Sequence, residues 1–168
     1  SNVRDSLVFF GSGPVAKSSL EFIGQHFRVE AVITKPSTLE EMKQTVQGIP
    51  VFAAGNADEL DDLITTQLFK SRLGVLVDFG VIVSKEVIDY FPLGIINSHF
   101  SLLPEWRGAD PITFAVLSGQ AKTGVSLMLL AEKMDTGKLI AQKALRIKPG
   151  TTTPGLTDEL ISLSNKLL

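Results

Sequence analysis

The first hundred residues alternate between short apolar segments and segments whose apolar residues have helical spacing, and this alternation constrains the fold most. The short segments are rich in Val, Ile, Leu and Phe, which indicates buried strands. A regular succession of strand and helix predicts a parallel sheet with helices on both faces and right-handed crossovers. We predict strands at 7–10, 29–34, 49–52, 73–77 and 94–97, and helices at 15–26, 37–47, 56–70 and 84–91.

Polar residues mark the starts of two of these helices. Ser37 with Glu40 and Asn56 with Glu59 have the spacing of a capping box, in which the first side chain accepts a backbone N–H of the first turn. The last of the four helices is expected to stop before Pro92, because the residue before a proline disfavours the helical conformation.

The rest of the chain predicts a helix at 110–117, strands at 123–130 and 138–147, and a terminal helix at 154–168. The two strands follow each other closely, so we expect an antiparallel pair at the sheet edge. We interpret residues 1–2 as a tag scar and 3–168 as one domain. Because the sequence stops within an amphipathic pattern, we expect the domain to come from a longer protein.

Composition excludes several kinds of site. The chain has no cysteine, which excludes disulfides, thiolate catalysis and cysteine-based zinc sites. His26 and His99 are too far apart in sequence for a local metal motif, so no metal is expected. A net charge of -2 without basic runs argues against this domain holding a nucleic-acid backbone by itself. No apolar run of about 18 residues is present, so no membrane span is expected. The absence of cysteine fits a reducing compartment, and we expect a cytoplasmic location.

The turn after the first strand is a candidate binding element. Gly11-Ser12-Gly13 resembles half of a phosphate-binding fingerprint, but Ala16 stands at the third glycine position and Pro14 removes one N–H. We favour a tight turn that shapes a pocket wall, and a nucleotide site stays open as an alternative.

Asn97 and His99 end a predicted buried strand and stand on the same side of it. Ligands of open α/β sheets bind beyond the carboxyl ends of the strands. A single histidine is more often structural than catalytic, but an amide and an imidazole together at this position can polarise a carbonyl and move a proton. The pair is therefore a candidate catalytic element.

Asp135 precedes Gly137 between the last two predicted strands, where a hairpin turn is the simpler interpretation. Asp135 is a catalytic candidate only together with His99, because a nearby carboxylate would orient the imidazole and favour the protonated form of the imidazole.

Taken together, these segments resemble the formyltransferases that use 10-formyltetrahydrofolate. The resemblance is strongest in IINSHFSLLPEWRGADPITFAVLSGQAKTGVSLMLLAEKMDTGKLI and weaker elsewhere. WRGADPI and MDTG are most similar to the methionyl-tRNA members of the family, and the sugar-amine members remain possible. The matching pieces, in family order, are Asn97 and His99, Ser101 to Pro104, Arg107-Gly108, Thr123-Gly124-Val125 and Asp135-Thr136-Gly137.

The resemblance implies a Rossmann-like three-layer α/β/α fold, a mostly parallel sheet with antiparallel edge strands, and 10-formyltetrahydrofolate as the formyl donor, with no metal. It implies initiator methionyl-tRNA as the partner substrate, bound with a C-terminal tRNA-binding domain that this chain lacks. The implied catalytic residues are Asn97, His99 and Asp135. The implied folate contacts are Ser101, Leu102, Leu103, Pro104, Val77, Asp78, Phe79 and Gly80, and the implied acceptor contacts are Phe10, Gly11, Arg107 and Gly108.

Some positions depart from the family pattern. Phe100 replaces a small residue or proline, Glu105 replaces a basic residue, and Asp78-Phe79 replaces Ala-Tyr. The segment 35–47 is short and lacks the long basic loop of the tRNA-acting enzymes. The missing loop argues against tRNA binding by this piece alone. Besides the methionyl-tRNA and sugar-amine transferases, a formyl-removing hydrolase and a non-catalytic folate-binding module stay open, as does a nucleotide-binding protein, which rests only on the incomplete glycine turn.

Overall fold

The computed structural model describes residues 6–99, 122–130 and 139–146. These residues form one sheet of seven strands in the order β3-β2-β1-β4-β5-β6-β7. β1 to β5 are parallel, and β6 and β7 add an antiparallel pair at one edge. The strands are β1 Ser6–Phe10, β2 Arg28–Thr34, β3 Val51–Ala53, β4 Leu73–Val77, β5 Ile95–His99, β6 Lys122–Leu129 and β7 Leu139–Arg146.

Within the described residues, four α-helices cover the two faces of the sheet. They are α1 Pro14–His26, α2 Leu39–Thr45, α3 Ala57–Gln67 and α4 Lys85–Tyr90. Successive strand residues point to opposite faces, so the sheet contributes to two separate hydrophobic clusters. One cluster contains Leu20 of α1 and Met42 of α2, and the other contains Leu60 of α3 and Val87 of α4. The predicted three-layer α/β/α arrangement with an antiparallel edge pair is therefore confirmed.

Two predicted helix caps differ in outcome. Asn56 accepts a hydrogen bond from the Glu59 N–H at 2.9 Å, which confirms this cap of α3. The cap predicted at Ser37 is wrong. Pro36 starts a short 3₁₀ turn, Pro36–Thr38, and α2 begins only after it. The Thr38 hydroxyl bonds to the Thr34 hydroxyl at 2.6 Å, which links this turn to the end of β2.

Several boundaries also shift from the prediction. β3 begins at Val51 instead of residue 49, because Pro50 has no N–H to offer a neighbouring strand, although its carbonyl accepts from Val32. α3 ends before Leu68, which adopts the left-handed conformation at φ 51°. β5 continues to His99 because β6 supplies partners for its last residues. The helices predicted at 110–117 and 154–168 lie outside the described residues.

A polar cluster closes the amino ends of the strands. In the pairing of β1 with β2, Glu30 is the extra residue of a bulge, since Leu7 pairs with Val29 and Val8 pairs with Ala31. The Glu30 carboxylate accepts the backbone N–H groups of Lys70 and Ser71 at 2.9 and 2.7 Å, and the Ser71 hydroxyl at 2.6 Å. Ser71 also bonds to Ser6 at the start of β1.

Tyr90 joins the same end of the sheet by donating its hydroxyl to the Phe69 carbonyl. Partial burial raises the pKa of Glu30, but the hydrogen bonds from Ser71 and Lys70 and the Lys70 charge outweigh it and leave that pKa below its ordinary value. Burial and the charge of Glu30 together raise the pKa of Tyr90. The cluster thus holds an ionised carboxylate and a neutral phenol.

Candidate functional site

The carboxyl ends of β1, β2, β4 and β5 lie at the same end of the sheet, because these strands are parallel. This end is called the carboxyl edge below. β2, which follows β1 in the chain, pairs with one side of β1, and β4 pairs with the other side. The strand order therefore reverses between β1 and β4, and open α/β sheets bind their ligands outside such a point. The segments that follow β1 and β4 form this edge.

Backbone hydrogen bonds join these two segments. The N–H groups of Ser12 and Gly13 both donate to the Asp78 carbonyl, at 2.8 and 3.1 Å. The Ser12 hydroxyl donates to the Phe79 carbonyl at 2.5 Å. On the other side, the Gly11 N–H donates to the Ile33 carbonyl at 3.0 Å. The turn after β1 is therefore fixed to both neighbouring strands.

Two glycines allow this close approach. A Cβ atom at Gly11 would lie 2.5 Å from the Ala16 Cβ and 2.6 Å from the Val77 carbonyl oxygen. A Cβ atom at Gly13 would lie 1.8 Å from Oδ2 of Asp78. Any other residue at Gly11 would overlap the helix and the backbone of β4, so this glycine is needed for packing between segments, whereas at Gly13 the exposed Asp78 side chain would have to move.

The segment after β4 turns sharply. Asp78 has φ 51° and Gly80 has φ 73°, both in the left-handed region. The ammonium group of Lys35, the first residue after β2, lies over this turn, since a Cβ atom at Gly80 would be 2.8 Å from its Nζ. Lys35 was not among the predicted site residues. Its position directly after a strand that ends at this edge is the signal that would have identified it.

The predicted ligand-contacting positions Phe10, Val77 and Phe79 have buried side chains. The rings of Phe10 and Phe79 meet edge to face, with centroids 5.8 Å apart, below the turn. A contact of these three positions with a ligand stays a prediction, and the exposed residues of the turn after β4 are Asp78 and Gly80.

Asn97 is half-buried in β5, where Leu76 and Met128 are its neighbours on the adjacent strands. It shares a sheet face with Ile95, whose side chain packs among Phe10, Phe79 and the residues of α3 and α4. His99 follows two positions later in the same strand and has Ser126 as its backbone neighbour. The strand therefore places both positions on one face at the carboxyl edge.

The other predicted site residues lie outside the described residues, and their roles stay predictions. They are Asp135, Ser101, Leu102, Leu103, Pro104, Arg107 and Gly108. In the part of the chain that the structure describes, no group of three or more His, Asp or Glu side chains could hold a metal ion. None of the described helices is long and apolar enough to cross a membrane.

Comparison with known proteins gives relatives for nearly the whole chain. The profile of the family described as formyl transferase matches residues 15–168. Methionyl-tRNA formyltransferase of Prochlorococcus marinus (strain NATL2A) is 35% identical over 178 residues, covering 96% of this chain and 52% of that protein. The corresponding enzyme of Moorella thermoacetica is 35% identical, covering 96% of this chain and 56% of its own length. The chain thus spans about half the length of these curated relatives.

Solved structures share the fold. Phosphoribosylglycinamide formyltransferase from Streptococcus pneumoniae TIGR4 superposes with a TM-score of 0.80 at 24% identity, covering 98% of this chain and 94% of that one. A formyltetrahydrofolate deformylase from Pseudomonas syringae pv. tomato gives a TM-score of 0.80 at 19% identity, covering 97% of this chain and 58% of that one. At these identities the likeness concerns the Rossmann-like architecture alone.

Proposed function

From the premise that this chain belongs to the formyl transferase family, we propose that it carries the formyl-transfer site of a methionyl-tRNA formyltransferase. The reaction moves a formyl group from 10-formyltetrahydrofolate to the amino group of initiator methionyl-tRNA. The observation that carries this proposal is the match of 96% of the chain to curated methionyl-tRNA formyltransferases at up to 35% identity.

Asn97 is proposed to act on the formyl oxygen. When the acceptor amine attacks the formyl carbon, negative charge develops on that oxygen, and an amide N–H fixed at the strand end can donate to it. The position of Asn97 at the carboxyl edge, half-buried beside β4 and β6, supports this role. A donor held by a strand needs little reorganisation as the charge appears.

His99 and Asp135 complete the proposed catalytic group. A protonated His99 donates a second hydrogen bond to the developing oxyanion, and Asp135 favours that protonated form. As the bond between the formyl carbon and N10 breaks, the protonated imidazole gives its proton to N10 of the leaving folate, and the neutral His99 then takes the proton of the amine that has attacked. These steps use no metal ion and no covalent intermediate.

The donor is proposed to lie against the turn after β4. Asp78 and Gly80 expose their backbone there, whereas Phe79 is packed beneath it. Backbone groups of this turn suit the polar edge of a pterin ring, which presents several hydrogen-bond donors and acceptors. Ser101 to Pro104 form the opposite border in this proposal.

The acceptor is proposed to approach from the turn after β1, where Phe10 and Gly11 contribute backbone groups and Arg107 and Gly108 contribute from the second half of the chain. The domain spans residues 3–168 in this proposal. Contacts to the body of the tRNA come from a further region, in keeping with curated relatives about twice as long as this chain. The proposed location is the cytoplasm.

The test is a transfer assay on the full-length protein that contains this chain, with labelled 10-formyltetrahydrofolate as donor. We expect transfer to methionyl-tRNA, and little transfer to an amino sugar linked to a nucleoside diphosphate or to water. Preferred transfer to the sugar amine, or release of formate without an acceptor, would replace the proposed acceptor while keeping the donor. Absence of donor turnover with every acceptor would refute the proposal.

A further inference from the structure

The side chain of Lys35 reaches from the end of one strand to the turn after another at the carboxyl edge. Lys35 follows β2 directly, and its carbonyl accepts the Thr38 N–H at 3.1 Å, which fixes its backbone to the 3₁₀ turn. In the sheet, β1 lies between β2 and β4. A Cβ atom at Gly80 would nevertheless lie 2.8 Å from Nζ and 3.2 Å from Cε of Lys35. The ammonium group therefore lies over the turn after β4.

Within the described part of the chain, no carboxylate pairs with this ammonium group. Lys17 and Lys43 each pair with a glutamate, but none of the ion pairs among the described residues includes Lys35. The Asp78 carboxylate belongs to the same turn but lies against Gly13. The Lys35 side chain is half-buried, so water screens its charge less than that of a fully exposed lysine. An anionic group of a ligand would be attracted to this position.

The position of the ammonium group suits a phosphate of the acceptor. Lysine binds phosphate as a point charge, and Gly80 is exposed beside it. Because β4 pairs with β5, the turn after β4 is next to the strand end that carries Asn97. In an aminoacyl-tRNA the reacting amine is followed by an ester, the terminal ribose and then a phosphate. An acceptor with its amine beside Asn97 can therefore extend its phosphate to Lys35.

The donor offers a different anionic group, the carboxylates of its glutamate tail. These carboxylates are at the opposite end of the donor from the pterin ring, with N10 between them. Since the pterin ring is proposed to lie against the turn after β4, the tail would point away from Gly80. The acceptor is therefore the better source of the anion.

We propose that Lys35 is a specificity-determining residue, which binds the phosphate next to the aminoacylated ribose of the acceptor. This inference rests on the proposed function for the identity of the acceptor. It adds one phosphate contact near the reacting amine, whereas the contacts to the body of the tRNA come from a further region.

Three substitutions separate the charge of Lys35 from its packing. Lys35→Met removes the charge and keeps an unbranched apolar stem across Gly80. Lys35→Arg keeps the charge. Lys43→Met is the matched control, because Lys43 is exposed on α2 and its substitution changes the net charge of the protein equally.

The experiment is a calorimetric titration of the full-length protein, without donor, with two acceptor analogues. Both are adenosines that carry methionine through an amide on the ribose, and one of them has a phosphate at the other end of the ribose. The wild type should bind the phosphorylated analogue about 10-fold more tightly than the other. Lys35→Met should abolish this preference, whereas Lys35→Arg and Lys43→Met should keep most of it.

An equal loss of affinity for both analogues in Lys35→Met would show that Lys35 only supports the turn, and would overturn the inference. So would a wild type without preference for the phosphate, or one that binds neither analogue. Weaker binding of a stable donor analogue by Lys35→Met, with acceptor binding unchanged, would assign the lysine to the donor and also contradict the inference.

Formyl transfer to methionyl-tRNA is measured separately on the same proteins. Transfer by a wild type that shows no phosphate preference would refute only the role of Lys35. A phosphate preference that depends on Lys35, in a protein that transfers no formyl group, would refute only the proposed reaction.

Discussion

The amino edge of the sheet, where the parallel strands begin, and the carboxyl edge, where they end, are held together by different kinds of hydrogen bond. At the amino edge, the Glu30 side chain binds Lys70 and Ser71, and Tyr90 binds the Phe69 carbonyl. At the carboxyl edge, the segments after β1 and β4 are joined mainly by backbone N–H and carbonyl groups. Side-chain hydrogen bonds stabilise the first edge, whereas backbone hydrogen bonds, supplemented by the Ser12 hydroxyl, join the segments of the second.

Substitutions at the two edges should therefore have different effects. Changes at the amino edge should alter the free energy of unfolding and leave chemistry untouched. Changes at the carboxyl edge should affect either the chemistry or the close contact between the two segments. Four substitutions test this division.

The largest effect is expected for Asn97→Ala. Loss of one donor to a developing oxyanion lowers the rate by about 10²–10³. The measurement is single-turnover formyl transfer by the full-length protein, with the unfolding midpoint as a check of fold. Asn56→Ala is the matched control, because it removes the cap of α3 at a cost of about 1 kcal/mol and should leave the rate unchanged. Equal rates for Asn97→Ala and the wild type would remove Asn97 from the proposed chemistry.

Gly11→Ala should destabilise the fold by about 3 kcal/mol, since the new methyl group overlaps the Ala16 Cβ and the Val77 carbonyl. Urea unfolding measures the change. Gly24→Ala on α1 is the control, because no atom lies within 4 Å of the added Cβ, and alanine there should stabilise the helix by about 1 kcal/mol. If both variants behaved alike, close approach would not explain Gly11.

Glu30→Gln should lower the free energy of unfolding by about 1–2 kcal/mol at neutral pH, a value reduced by the partial exposure of this carboxylate. The folded-state pKa of Glu30 is lowered, so its ionised form stabilises the fold above the ordinary glutamate pKa. That contribution is lost as the pH falls through the folded-state value. The wild type and the variant should therefore converge in acid.

Urea unfolding of both proteins across this pH range is the measurement. Glu21→Gln, at an exposed position of α1, is the control and should unfold like the wild type at neutral pH. A difference between wild type and Glu30→Gln that stayed constant with pH would contradict the role of the ionised carboxylate.

The smallest effect is expected for Tyr90→Phe. The substitution removes the hydroxyl that donates to the Phe69 carbonyl and keeps the ring contact with Phe91, at 5.2 Å between centroids. One hydrogen bond of this kind contributes about 1 kcal/mol. Urea unfolding at neutral pH should detect the loss, and formyl transfer should be unchanged. A slower transfer rate would show that the amino edge reaches the chemistry.

The fold could be predicted because each strand combines a short apolar run with a polar or glycine-containing end. The predicted parallel strands and the antiparallel pair were all found, with shifted boundaries. The cap predicted at Ser37 failed because of local interactions that the spacing does not show. Ser37 has the spacing of a helix cap, but the Thr38 hydroxyl bonds to Thr34 and the turn after Pro36 takes a different path.

The candidate site could be predicted only in part, because its segments are distant in sequence. The position of Asn97 at a strand end follows from local pattern. The placement of Lys35 over Gly80, and of the Asp78 carboxylate against Gly13, follows from strand order. Because β1, β2 and β4 are neighbours in space but separated in sequence, spacing along the chain cannot show which of their ends meet.

The central position of β1 has a consequence for the order of folding. Only α1 separates β1 from β2, whereas α2, β3 and α3 intervene before β4 arrives on its other side. Closing a longer loop costs more entropy, so we expect β1 to pair with β2 before it pairs with β4. The contacts of Ser12 and Gly13 with Asp78 would then form after the folding barrier, and weakening them should shorten the lifetime of the folded chain without slowing its formation.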